Sequence, residues 1–160
     1  MDPSQWIASF RITHEQARKG TLNESEMKKY LGMRDELARS LMNSQGLTVP
    51  EGVPARRAFT VQHLFPIELA GIYKTMTREL SCKGFVATVG ATFKEGDRVS
   101  FTMNLSRTSE PVTGNATVTA AQKQGTSLTR ITCTYDGMDE DRLGRLEFGL
   151  FDAALSRLGT

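Results

Sequence analysis

The sequence predicts an α+β protein, mainly β: a six-stranded antiparallel β-barrel closed on itself, with a C-terminal helix after it and an N-terminal helical appendage before it. Three observations carry this. Residues 1–46 show helical spacing with helix-capping chemistry, the chain from Arg57 changes to short alternating runs joined by tight-turn sequences, and residues 139–158 return to a helical apolar stripe. With 39% hydrophobic and 24% charged side chains, 160 residues suffice for one substantial core and a short appendage.

Asp2-Pro3 places a cap before a proline at the first helical position, and Thr13-His14-Glu15-Gln16 has the form of a second capping box. One broken helix or two short ones are therefore expected there. A clearer start is Asn23 with Glu26 three residues on, flanked by Leu22 and Met27 at the positions of a hydrophobic staple, so a long helix should begin near Glu24. Met27, Tyr30, Leu31, Leu37, Ala38 and Leu41 recur at helical spacing, Arg34 interrupts the stripe, and Gly46 offers a left-handed stop. Such a stripe needs a cover, either the barrel or the same helix of a second copy in a homodimer. The glycines and prolines of SQGLTVPEGVP, residues 44–54, then divide the chain into an appendage (1–46), a linker (47–55) and a barrel with its closing helix (56–160).

Within the barrel segment, Val99, Phe101, Met103 and Leu105 alternate with Ser100, Thr102 and Asn104, which gives a strand with one buried face. Val112, Gly114, Ala116, Val118 and Ala120 alternate with small residues, and Ile131, Cys133 and Tyr135 mark another strand. Lys94-Glu95-Gly96-Asp97 and Lys123-Gln124-Gly125-Thr126 supply turns. The final helix opens on Asp139, Glu140 and Asp141, which suit the positive end of its dipole. Its stripe of Leu143, Leu146, Leu150, Phe151, Ala154, Leu155 and Leu158 should cover the barrel, and Gly159 should end it.

Composition excludes several functions. Twenty Lys and Arg against 18 Asp and Glu leave a net charge of +2, which is no footprint for nucleic acid. Cys82 and Cys133 are too few for a disulfide framework and stand near no zinc-spaced partner, so a reducing cytoplasm is expected. The start MDPSQWIASF is no signal peptide, and no apolar run is long enough to span a bilayer. His14 and His63 lie in unrelated segments, and no nucleophile has a base beside it. We expect no enzyme, no catalytic residues, no metal and no cofactor.

The informative segment is Arg56-Arg57-Ala58-Phe59-Thr60-Val61, followed at strand distance by Arg78-Glu79-Leu80-Ser81-Cys82-Lys83-Gly84-Phe85. Over roughly residues 54–158 the chain resembles the PilZ family, in which an arginine-rich RxxxR loop leads into the barrel and a (D/N)xSxxG motif sits between the second and third strands. The resemblance implies a bacterial signalling receptor or adaptor. It would hold cyclic di-GMP with Arg56, Arg57, Glu79, Ser81 and Gly84, and pass the signal by contact with a protein of a motility, polarity or exopolysaccharide system. The alternative is a nucleotide-independent adaptor on the same fold.

The chemistry of the motif is direct. Guanidinium groups stack on guanine and chelate phosphate, a carboxylate accepts guanine N–H groups, and glycine admits close backbone approach. Glu79 stands where the family has Asp or Asn, while Ser81 and Gly84 match. In the first motif either Arg57 is the second arginine and Val53 the missing first, or Arg56 is the first and Thr60 the missing second. Each register lacks one arginine, whose charge-assisted pair is worth about 1.5 to 3 kcal/mol.

Overall fold

The computed structural model describes residues 2–105 and 110–158. The chain divides into two compact units, Met1–Phe59 and Thr60–Thr160.

In the first unit, α1 (Pro3–Arg18) and α2 (Glu24–Ser44) each begin with a capping box, Asp2 with Gln5 and Asn23 with Glu26. Each ends alike. Gly20 and Gly46 take positive φ, while Thr21 N–H reaches Gln16 O and Leu47 N–H reaches Met42 O, which is the Schellman arrangement. The second box expected at Thr13 does not form, and α1 runs unbroken: the Thr13 hydroxyl donates back to Ser9 O at 3.1 Å, as a threonine inside a helix does. Phe10, His14 and Tyr30 are buried in one ring stack, with a hydrogen bond between His14 Nδ1 and the Tyr30 hydroxyl. Arg34 does not interrupt the stripe of α2. It is 6% exposed, its guanidinium carbon lying 4.5 Å from the centre of the Tyr30 ring, so the buried face absorbs the charge through a cation–π contact.

Residues 47–55, read as a linker, belong to this first unit, and Arg56 and Arg57 lie in a helical turn, α3 (Ala55–Ala58), instead of approaching a strand. Extended Pro54 caps the turn, and Asp35 on α2 accepts the Arg56 backbone N–H at 3.0 Å.

In the second unit, β1 (Pro66–Leu69), β2 (Tyr73–Leu80), β3 (Gly84–Val89), β4 (Arg98–Met103), β5 (Val112–Gln124) and β6 (Leu128–Asp136) close into an antiparallel barrel ordered β1-β2-β3-β6-β5-β4. The six-stranded expectation holds. Val99, Phe101 and Met103 are buried, and so are Ile131 and Cys133. The rings of Phe85, Phe101 and Tyr135 meet inside, with centroids 5.4 to 5.9 Å apart. The alternation in β5 fails at its end: a bulge between Val118 and Ala120 sets Thr119 out of register, so Ala120 is exposed. Residues 120–124 pair with β6, whereas the ladder with β4 ends at Arg98 and Thr117.

The β1–β2 turn carries consecutive positive φ angles at Ala70 (54°) and Gly71 (74°), with Ile72 N–H donating to Leu69 O. An L-residue in this region is strained by about 1 to 2 kcal/mol, and asparagine tolerates it better than alanine. Ala70→Asn should therefore stabilise the protein by up to about 1 kcal/mol, read as a raised urea midpoint at unchanged slope; a lowered midpoint would refute the strain.

After β6 comes α4 (Glu140–Arg157), capped by Asp139, whose carboxylate accepts the Arg142 backbone N–H at 2.9 Å and is held below its usual pKa chiefly by that bond. Arg142 Nη1 donates to Thr113 O at 2.8 Å, and a side chain at Gly149 would meet Leu105 at 3.1 Å, so the helix is tied to the β4–β5 end of the barrel. Leu146, Leu150, Phe151, Ala154 and Leu155 are buried as expected. Leu143 is only half-buried, and Leu158, the C-cap, is 46% exposed because the stripe turns outward at the last turn. Glu147 is a buried carboxylate that the apolar stripe did not announce. Gly159, expected as the stop, lies outside the described residues. Among the described residues no helix is long and apolar enough to cross a membrane.

Candidate functional site

The site is built at the β2–β3 corner. A bulge after Thr77 pairs Thr77 with Ala87 but Glu79 with Val86, leaving Arg78 as the extra, exposed residue. Thr77 itself is fully buried. Its hydroxyl donates to His63 O at 2.9 Å and accepts from Phe65 N–H at 3.0 Å. Val61 and Leu80 exchange both backbone hydrogen bonds at 2.9 Å. These ties lay residues 60–65 along β2 and bring Thr60 beside the corner.

A cavity of about 180 Å³ results, lined by Thr60, Glu79, Ser81, Lys83 and Gly84, with Thr132 and Thr134 from β6. Glu79, Ser81 and Gly84 therefore come together, and so does Thr60, the missing second arginine in one register of the first motif. Arg56 and Arg57 belong to the other compact unit, where Arg56 Nη1 donates to Asp35 Oδ2 at 2.9 Å.

Each corner residue already has a role in the fold. Ser81 Oγ accepts from the N–H groups of Lys83 (3.1 Å) and Gly84 (3.3 Å), and Ser81 N–H donates to Gly84 O. At Gly84 a Cβ would stand 1.8 Å from Cys133 O, so the close approach glycine permits here is between β3 and β6. Glu79 Oε2 lies 3.9 Å from Arg130 Nη2, both half-exposed. With Arg78 and Lys83 exposed nearby, cations outnumber the one carboxylate. Sequence reading missed Arg130, Thr132 and Thr134, because only the pairing of β3 with β6 brings them to the corner.

Burial shapes the chemistry of both His63 and Cys133. The His63 and Phe65 rings are tilted by 50° with centroids 4.6 Å apart, and burial first, then the charge of Arg157, lowers the His63 pKa. Burial pushes the Cys133 thiol up to about 12, far from a reactive thiolate. Among the described residues no group of His, Cys, Asp and Glu has the geometry to hold a metal ion.

No protein-family model matches the sequence, and no curated protein matches it. Solved structures do. The PilZ domain of YcgR from Escherichia coli, with c-di-GMP, superimposes at a TM-score of 0.53 and 12% identity, over 62% of this chain and 91% of that one. The Bacillus subtilis inhibitor of motility, MotI/DgrA, gives 0.52 at 12% identity over 63% and 50%. YcgR in complex with c-di-GMP gives 0.50 at 15% over 62% and 45%. This chain thus spans about half the length of MotI/DgrA and of the longer YcgR chain. The closed barrel followed by a helix has the PilZ fold.

Proposed function

We propose that the protein is a cytoplasmic PilZ-type signalling adaptor, not an enzyme, that receives cyclic di-GMP at the β2–β3 corner and passes the signal on by protein contact. The observation that supports this is the shared cavity: Glu79, Ser81 and Gly84 line it together with Thr60, and Lys83 and Arg130 add positive charge for a phosphodiester. A second reading, a nucleotide-independent adaptor, is favoured by the threonine at position 60 and by the pairing of Arg56 with Asp35.

Calorimetric titration with cyclic di-GMP separates them. The parent should bind, and Thr60→Arg should tighten binding about ten- to a hundredfold by restoring one charge-assisted pair. Heat of binding absent from both proteins would overturn nucleotide reception and leave the adaptor reading. Tightening by Val53→Arg in place of Thr60→Arg would reverse the register of the motif.

A further inference from the structure

One face of the first unit is unused by its own fold. Between α1 and α2 lies an open groove of about 560 Å³. Its lining residues Leu22, just before α2, and Glu26, Lys29, Met33 and Glu36 on α2 follow alternating steps of four and three, the spacing of a coiled-coil seam. On α1 the half-exposed Trp6 heads a similar row. Of the buried stripe of Tyr30, Arg34, Leu37, Ala38 and Met42, only Tyr30 also lines the groove.

We propose that a second copy of this chain docks in this groove, its α2 antiparallel to the first about a two-fold axis at Gly32 and Met33. Two observations select that occupant. Gly32 sits in the middle of α2 where a Cβ would meet nothing within 4 Å. Glycine there weakens the helix by about 1 kcal/mol relative to alanine, with no contact inside the chain to require it, whereas a helix crossing closely would. The second observation is charge. Glu26, Lys29, Glu36 and Arg39 are all exposed, and Lys29, Glu36 and Arg39 have no ion-pair partner among the described residues. Antiparallel pairing centred between Gly32 and Met33 sets Lys29 against Glu36 of the second copy, and Arg39 against Glu26. A parallel arrangement would set Lys29 against Lys29 and Glu36 against Glu36, which opposes like charges. Glu26 can serve both uses, since its Oε1 accepts the Asn23 N–H of the capping box and Oε2 remains.

Sedimentation equilibrium on the full chain tests this. The parent should be a dimer. Glu36→Lys creates two symmetric Lys–Lys contacts and should weaken it about tenfold, and the double variant Lys29→Glu, Glu36→Lys should restore it, because the pair is exchanged in sign. Gly32→Leu should give monomer with helical circular dichroism undiminished, since leucine favours helix and its Cβ enters open space in the single chain. A monomeric parent would give the groove to some other helix and overturn the proposal. So would a dimer that neither Glu36→Lys nor Gly32→Leu weakens.

Discussion

Replacing Gly84 by alanine should destabilise the protein by about 3 kcal/mol or more, at the upper end of what overpacking does. The added methyl would stand 1.8 Å from the Cys133 carbonyl oxygen and 2.9 Å from its carbon. Both are backbone atoms in a six-pair ladder running from Gly84–Thr134 to Val89–Thr129, so no rotamer change relieves the clash. The strands must separate, at the place where Ser81 N–H bonds Gly84 O and Tyr135 N–H bonds Lys83 O. Urea unfolding measures it: a midpoint equivalent to less than about 0.5 kcal/mol of loss would mean that β3 and β6 part freely. Gly84 is consequently a poor probe of ligand binding, because its substitution damages the fold first.

Leu150→Ala should cost about 2 to 5 kcal/mol through lost burial and the cavity left behind. Leu150 is 0% exposed and lies in the middle of α4, beside buried Leu146, Phe151 and Ala154 and next to Gly149, whose open side is filled by Leu105. Leu158→Ala is the matched control on the same helix. At 46% exposure it should move stability by no more than about 0.5 kcal/mol. Equal effects from the two would contradict the burial of Leu150, and a silent Leu150→Ala would mark this face as an interface rather than core.

Much of the fold was legible because its signals are local. The Asn23–Glu26 capping box, the left-handed stop at Gly46 and the alternation through Val99, Phe101 and Met103 each act within a few residues, and each appears where the pattern puts it. What was not legible is set by pairing between distant strands. The bulge that exposes Ala120 depends on how β6 meets β5, and nothing in the spacing of small residues announces it. Arg34 reads as a break in a stripe until Tyr30 supplies a ring for it to lie on. At the candidate site, Glu79, Ser81 and Gly84 were visible as a motif, but Arg130, Thr132 and Thr134 reach the corner only through the β3–β6 ladder. Gly84 carries a use that the motif did not announce for the same reason: its missing side chain also admits the Cys133 carbonyl across the β3–β6 ladder.

The complete caps at both ends of α1 and α2 have a kinetic consequence. Every one of those hydrogen bonds joins residues within five positions of each other, so the start and stop of both helices are specified before any distant contact exists. The barrel is the opposite case, because its ladders join Ile67 to Met103 and Gly84 to Thr134 and bear the chain entropy of those closures. The helical hairpin should thus form early, and barrel closure through these distant ladders should set the pace at which the whole chain reaches its native state.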